Sequence, residues 1–292
     1  MIKIASVGKT LSNDSSPMKI FVTFSNETYL SARRLNIWTA KNIAGFDKVF
    51  SLSPSDIEDD FVKKNSRILS YSKGSGLWLW KPWAVKYALD RANVGDYVFY
   101  DDAACFWIRK VDNIIKKMDQ DVWICDISLL EEQFTKPSLF RYMECDTDEY
   151  KKTRQRPAVY LGLRKSALSV KIVNEWLDYC QKEDCISPET EMDIEEGMGV
   201  GFISHREDQS ILSLLTKKYH INAHHNPSLS GLHPEYERFN NAIYVPTSHK
   251  KEYPICVVHH RKPKINAIML LRKMIEIVLP NCFVFFFRTL RK

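Results

Sequence analysis

The sequence predicts an α/β fold: a mostly parallel sheet flanked by helices, followed by a basic, apolar C-terminal segment. Three observations carry this. Short apolar runs alternate with stretches of helical spacing from Met18 onward, the order that buries a parallel sheet between helices. Two of the runs end on carboxylates, Asp101-Asp102 and Asp126, and open parallel sheets present ligands at the carboxyl ends of their strands. Beyond residue 264 the pattern changes to apolar blocks interleaved with Arg and Lys. The chain therefore divides into a polar lead-in (1–17), one large domain (18–264) and a tail (265–292).

Residues 18–24 are a continuous apolar run ending at a Ser-Asn turn, which predicts a buried first strand. Across residues 27–44, Leu30, Leu35, Trp38 and Ile43 recur with helical spacing, and Gly45 stops the run. Residues 47–52 read as a second strand, and Ser53-Pro54-Ser55-Asp56 as the start of a second helix. A glycine-bounded aromatic loop, residues 73–83, leads into a helix reaching about Ala92. Strands follow at 97–100, 122–125 and 158–163, with a helix over 166–180. Residues 183–200 read as a mobile loop, 205–218 as a helix and 254–259 as a last strand.

Composition excludes several classes. With 45% hydrophobic and 27% charged residues the chain is neither disordered nor collagenous. Seven cysteines without a Cys-x-x-Cys pair argue against a disulfide scaffold or zinc ribbon and for a reducing cytoplasm. The N-terminal residues lack the apolar core of a signal peptide. The net charge of +6 is uneven, with an acidic stretch at 183–196 and a basic C-terminal region. No RNA-binding signature accompanies it, so no nucleic acid partner is expected. Glycine fingerprints for dinucleotides and P-loops, a Gly-x-Ser-x-Gly elbow and a His-Glu-x-x-His helix are all missing. The apolar blocks of the tail, such as 277–280 and 282–287, are too short to span a bilayer. They suit a basic amphipathic element in the membrane interface, or a terminal helix docked on the domain.

Three constellations have the residue types for chemistry. Asp101 and Asp102 at a strand end suit a divalent cation on a diphosphate, and suit a turn equally. Glu207 and Asp208 open a helix, where carboxylates cap the dipole and where one of them can also deprotonate a hydroxyl. Lys81 lies in the aromatic loop with Trp78, Trp80 and Trp83, a phosphate contact in an aromatic wall or the start of a helix over a core. His259 follows the last apolar strand, as a ligand for the same cation or as an ordinary packed imidazole.

Taken together, several strings resemble a known family. They include Phe21-Val22-Thr23-Phe24, Ser31-Ala32-Arg33-Arg34-Leu35, Gly76-Leu77-Trp78-Leu79-Trp80-Lys81-Pro82 and Tyr100-Asp101-Asp102-Ala103. Thr153-Arg154-Gln155-Arg156 and His205-Arg206-Glu207-Asp208-Gln209-Ser210-Ile211-Leu212-Ser213 continue the series. The region 18–260 resembles bacterial glycosyltransferases of the GT-A fold found in capsule and O-antigen gene clusters. The resemblance implies a nucleotide diphosphate sugar donor near Thr23, Phe24, Ser25, Arg34, Trp80, Lys81, Asp101, Asp102, Gln155, Arg206 and Gln209. It implies Asp208, with Glu207 beside it, as the catalytic base of an inverting transfer. A hexose, galactose-like, would pass to a lipid-linked glycan at the inner face of the cytoplasmic membrane. The chain departs from the family's Asp-x-Asp pattern, since Ala104 stands two residues after Asp102. Mn²⁺ or Mg²⁺ would then be held by the shifted Asp101-Asp102 pair or by Asp102 with His259, or the transfer would need no metal. A noncatalytic carbohydrate-binding or assembly subunit is the alternative that Ala104 suggests.

Overall fold

The computed structural model describes residues 16–195, 201–232, 239–246 and 251–278. Its strands, in chain order, are β1 (Lys19–Phe24), β2 (Lys48–Leu52), β3 (Tyr97–Asp101), β4 (Cys105–Trp107), β5 (Val122–Cys125), β6 (Tyr160–Arg164), β7 (Ala223–His224) and β8 (Val257–His259). Six of them form one mixed, mostly parallel sheet in the order β2-β1-β3-β6-β5-β7. β1 pairs in parallel with β2 and β3, and β5 with β7; β6 alone runs antiparallel to both its neighbours. Since β1 and β3 run the same way, their carboxyl ends, Phe24 and Asp101, emerge on one edge of the sheet.

The alternation of side chains along a strand builds a core on each face. Ile20, Val22 and Phe24 of β1 and Val98 and Tyr100 of β3 pack into one core. Three helices cover it: α2 (Trp80–Asp90), α3 (Ala167–Cys180) and α4 (Glu207–Lys218), numbered after α1 (Leu30–Thr39). Phe21 and Phe99 point the other way, into a core with Phe46, Trp107 and the end of the α1 region. The predicted first helix comprises a short turn (Glu27–Tyr29), α1 and a wider final turn (Ala40–Ala44). It ends at Gly45, whose φ of 79° lies where a side chain is disfavoured.

The remaining expectations fare unevenly. The Ser53 start signal is real but caps only one turn, Pro54–Asp56, because Ile57 is extended and the next helix begins at Asp59. The last strand is shorter than expected and does not join the main sheet. β8 pairs antiparallel with β4, placing His259 opposite Cys105. In the segment read as a mobile loop, the described residues form two helical turns, Glu183–Ile186 and Glu191–Glu195. The tail contains α5 (Ala267–Val278), while Pro280 and Phe283 to Phe287 lie outside the described residues.

Asn36 of α1 ties these layers together. Its side-chain amide donates to Asp101 Oδ1 at 2.6 Å and to the carbonyl of Cys105 at 3.0 Å, linking α1 to β3 and β4. Thr23 of β1 donates from its hydroxyl to the Asp101 carbonyl at 3.0 Å. The end of β3 is thus held from three sides before it delivers Asp102 to the surface.

Candidate active site

A cleft of about 410 Å³ opens over the carboxyl ends of β1 and β3. One wall is Phe24, Ser25 and Asn26 with Tyr29; another is the aromatic loop through Trp78 and Trp80. Asp102 to Ala104 leave β3 along its floor, and His259 and Arg261 close it from β8.

The aromatic wall is fixed by a tightly wound loop. The Trp80 indole stacks on Phe24 with centroids 4.4 Å apart and planes 15° apart, and its Nε1 donates to the Gly74 carbonyl at 2.9 Å. Ser75, Leu77 and Trp78 all hold positive φ, an unusual conformation that non-glycine residues accept only where their surroundings impose it. Gly76 has φ of 95°, and a Cβ there would lie 2.9 Å from Leu69 Cα. Gly76→Ala should therefore cost about 2 kcal/mol in urea unfolding and displace the Trp78–Trp80 wall. A stability equal to wild type would show that the loop is not held in this shape.

Asp102 is the acidic residue of the cleft. Its Oδ1 accepts from the Tyr100 hydroxyl at 2.6 Å and lies 3.1 Å from the Lys81 ammonium. Lys81, brought in from the first turn of α2, also approaches Asp208 Oδ2 at 3.5 Å. Lys81 and Asp208 each have side chains only 5% exposed, so this is a buried arrangement of one cation between two carboxylates. Burial opposes the Lys81 charge, yet Asp102 and Asp208 outweigh it and lift the ammonium above its ordinary range. Burial pushes the Asp208 carboxyl up to about 7; Lys81 pulls it back, and Asp102 and Glu207 push it further. Neighbouring Glu207 is raised by burial against the pull of Lys73, which it meets at 2.6 Å.

The candidate residues separate into groups. Phe24, Ser25, Trp80, Asp102 and His259 line the cleft together. Lys81 and Asp208 lie beneath it, bonded to Asp102 directly or through Lys81, and are not among its lining residues. Thr23 and Asp101 are fully buried. Burial drives the Asp101 carboxyl well above its usual range, with the Asn36 amide pulling the other way, and it serves as a structural group tied to α1. Arg34 is exposed on α1, whereas Arg33 turns inward and donates to the carbonyls of Ser25 and Leu52. Arg206 stacks between Phe134 and Phe239, 4.8 and 4.6 Å from their centroids, beside a second cavity that also includes Gln209, His259 and Arg261. Gln209 donates to Gln155 at 2.8 Å.

That glutamine pair belongs to a buried polar network whose centre, Glu131, carries no sequence motif. Glu131 accepts from Thr135 at 2.6 Å, from Gln155 at 3.3 Å, from Lys217 at 2.5 Å and from Ser213. Glu131→Gln would leave Lys217 buried without its counter-charge, and it should destabilise the protein by about 3 kcal/mol in urea unfolding. A loss below ~1 kcal/mol would mean that the network relaxes around the change. Arg261, also unassigned from sequence, follows the end of β8 with a positive φ (57°), which no local pattern announces.

His259 is half-buried and lowered to about 3, chiefly by burial and then by Arg261, so its imidazole is neutral at pH 7. Asp102 retains Oδ2, and a neutral imidazole faces the same cleft. Among the described residues no three or more His, Cys, Asp or Glu side chains converge on one point. One carboxylate and one imidazole on the cleft lining are too few for a cage made wholly of protein ligands, so a cation there would take substrate phosphates as its other ligands.

No protein-family model matches the chain, and no curated protein matches it by sequence. Among solved structures it is similar to apo mouse xyloside xylosyltransferase 1, at 8% identity and a TM-score of 0.47 over 86% of this chain and 100% of that one. It is similar to the apo glycosyltransferase GlyE of Streptococcus pneumoniae TIGR4, at 13% identity and a TM-score of 0.43, covering 88% of this chain and 59% of GlyE. The bifunctional glycosyltransferase WbbM matches at 9% identity and a TM-score of 0.37, over 59% of this chain and 36% of its own. These likenesses are remote, and the chemistry of the site rests on its own side chains.

Proposed function

We propose that the protein is a glycosyltransferase that moves a hexose, galactose-like, from a nucleotide diphosphate sugar to a lipid-linked glycan in surface-polysaccharide synthesis. The observation that carries this reading is the cleft at the ends of β1 and β3, where an aromatic wall faces Asp102, His259 and Arg261. A nucleoside needs a stacking surface, and a diphosphate needs cations or a bound metal. Phe24, Ser25 and Trp80 supply the first; Arg261 supplies positive charge at the other end. Asp102 and His259 would hold Mn²⁺ or Mg²⁺, which supplies charge neutralisation of the diphosphate leaving group.

In the transfer, an acceptor oxygen bonds to the anomeric carbon while the bond from that carbon to the diphosphate oxygen breaks, the electron pair leaving with the nucleotide. The acceptor proton passes to a pair of carboxylates: Asp102 lines the cleft, and Asp208, the base that the family resemblance implies, lies beneath it behind Lys81. With its carboxyl at about 7, Asp208 is partly ionised at neutral pH, which suits a group that takes up a proton and releases it each cycle. Lys81 holds the Asp208 and Asp102 carboxylates together and keeps their charge compensated.

The acceptor's anchor accounts for the tail. No helix among the described residues is long and apolar enough to cross a membrane. α5 exposes Ile268, Leu271, Met274 and Val278 while Arg272 and Lys273 lie on the same helix, the arrangement of an element lying on an anionic lipid surface. The chain would then work at the inner face of the membrane.

The test is a panel of nucleotide sugars, with and without Mn²⁺, read by thermal shift and by release of nucleoside diphosphate. One donor that stabilises the protein and is slowly hydrolysed is the expected result. A donor bound tightly but never hydrolysed or transferred would instead support a noncatalytic binding subunit, the reading favoured by Ala104 and by the closure of Asp208 onto Lys81. Silence from a folded protein across the panel would overturn both.

A further inference from the structure

A second basic region lies apart from the donor cleft. Arg154, Arg156 and Lys217 line a cavity of about 340 Å³ beyond the end of β5. Two of these cations are answered. Arg154 meets Asp126 Oδ1 at 2.9 Å and donates to the Val245 carbonyl, and Lys217 meets Glu131 at 2.5 Å. Arg156 is not. Its backbone is pinned by Ser213, whose hydroxyl accepts from the Arg156 N–H at 2.9 Å, but its Nη1 is buried with no hydrogen-bond partner.

A guanidinium nitrogen withdrawn from water without a hydrogen-bond partner costs free energy, and that cost is offset where a ligand completes it. Burial lowers Arg156 to about 10, with Asp126 and Glu131 opposing, so it stays charged at neutral pH. A planar guanidinium pairs best with carboxylate or phosphate oxygens, which it can meet two at a time.

The cavity is also connected. It shares Asp126, Arg154, Val245 and Pro246 with a neighbouring cavity of about 240 Å³. That one shares Asn226 and Ser230 with the cavity beside Gln209, which in turn shares His259 and Arg261 with the donor cleft. Adjoining cavities with shared walls thus lie between the transfer site and Arg156.

We infer that the Arg156 cavity is a subsite for an anionic group, a carboxylate or a phosphate, carried by a sugar of the acceptor glycan. The word acceptor rests on the glycosyl-transfer reading; the anion subsite does not. Glu149 lines the same cavity from an exposed helical turn and would weaken an anion there.

The test titrates glucose, glucuronate and glucose 6-phosphate into the full chain at constant ionic strength, with the nucleotide UDP as a separate arm. At least one of the two acidic probes should bind ten-fold or more tighter than glucose, and which one does so identifies the source of the anion. Arg156→Met should abolish that preference and leave UDP binding unchanged, and Glu149→Gln should strengthen the acidic probe several-fold without touching the fold. Should Arg156→Met not fold, protection of Arg156 in the wild-type protein from phenylglyoxal by the acidic probe gives the same answer. Equal binding of all three sugars, acidic binding that survives Arg156→Met, or no protection of Arg156 would overturn the inference. Failure of UDP to bind alongside a positive sugar arm would count against the donor reading alone.

Discussion

Asp102→Asn should lower the transfer rate at least about 100-fold while leaving the protein folded, because it removes the only carboxylate among the described residues of the cleft lining in a side chain of the same shape. The Tyr100 hydroxyl can still donate to the amide oxygen, and Lys81 keeps Asp208 as a partner. Stability should therefore change little while the cation or donor loses its anchor. Asp101→Asn is the matched control. That carboxyl is fully buried, hydrogen-bonded by Asn36 and absent from the cleft lining, so the amide should keep the rate within about three-fold. The comparison is read by steady-state transfer with both variants checked by circular dichroism. If Asp102→Asn transfers like wild type, or if the two variants lose rate equally, the assignment of Asp102 to the donor is wrong.

The contrast between these neighbours also marks what the sequence could and could not carry. The strand ending in Asp101-Asp102 was legible because a buried run of Tyr, Val and Phe behind a Gly-Asp turn leaves few other structures open. Period two then guarantees that adjacent residues face opposite ways, but not which of the two faces the cleft. The sheet's register decided it, through Asn36 and Cys105. Arg33 and Arg34 present the same ambiguity on a helix, where one residue is a turn of about 100°. The inward residue is Arg33, chosen by the carbonyls of Ser25 and Leu52. β4 and β7 are two or three residues long and exist only because a distant segment pairs with them, so no local pattern announces them, whereas β8 was legible as an apolar run but not in its pairing with β4. Glu131 was silent for a related reason: its partners Gln155, Ser213 and Lys217 come from far along the chain. The helix opening at Glu207-Asp208 was legible as a helix start. That Asp208 meets Lys81 beneath Asp102 is a long-range fact.

Lys81→Met should destabilise the protein, and by about 1 kcal/mol more at pH 8 than near pH 5. The side chains are close in length, so the change removes a charge from a buried position with little change of volume. What remains is a buried Asp208 facing Asp102 without the ammonium that compensated both. The sign follows from Asp208. Its folded carboxyl already sits at about 7, above the unfolded value, and loses in the variant the one neighbour that pulled it down. Between pH 4 and that raised value the folded state binds the extra proton, so its stabilising contribution is complete at low pH and is lost as pH rises through 7. Wild type softens this loss because Lys81 pairs with the ionised form; the variant does not. The gap between the two urea-unfolding curves should therefore stay constant from pH 5 to about pH 6 and widen from there to pH 8, where only wild-type Asp208 ionises. Adding Asp208→Asn to Lys81→Met removes the titrating group, so the double variant should recover most of the stability at pH 8 and lose the pH dependence. A gap that stays constant with pH, or a double variant no more stable than the single one, would show that Lys81 acts on something other than the Asp208 carboxyl.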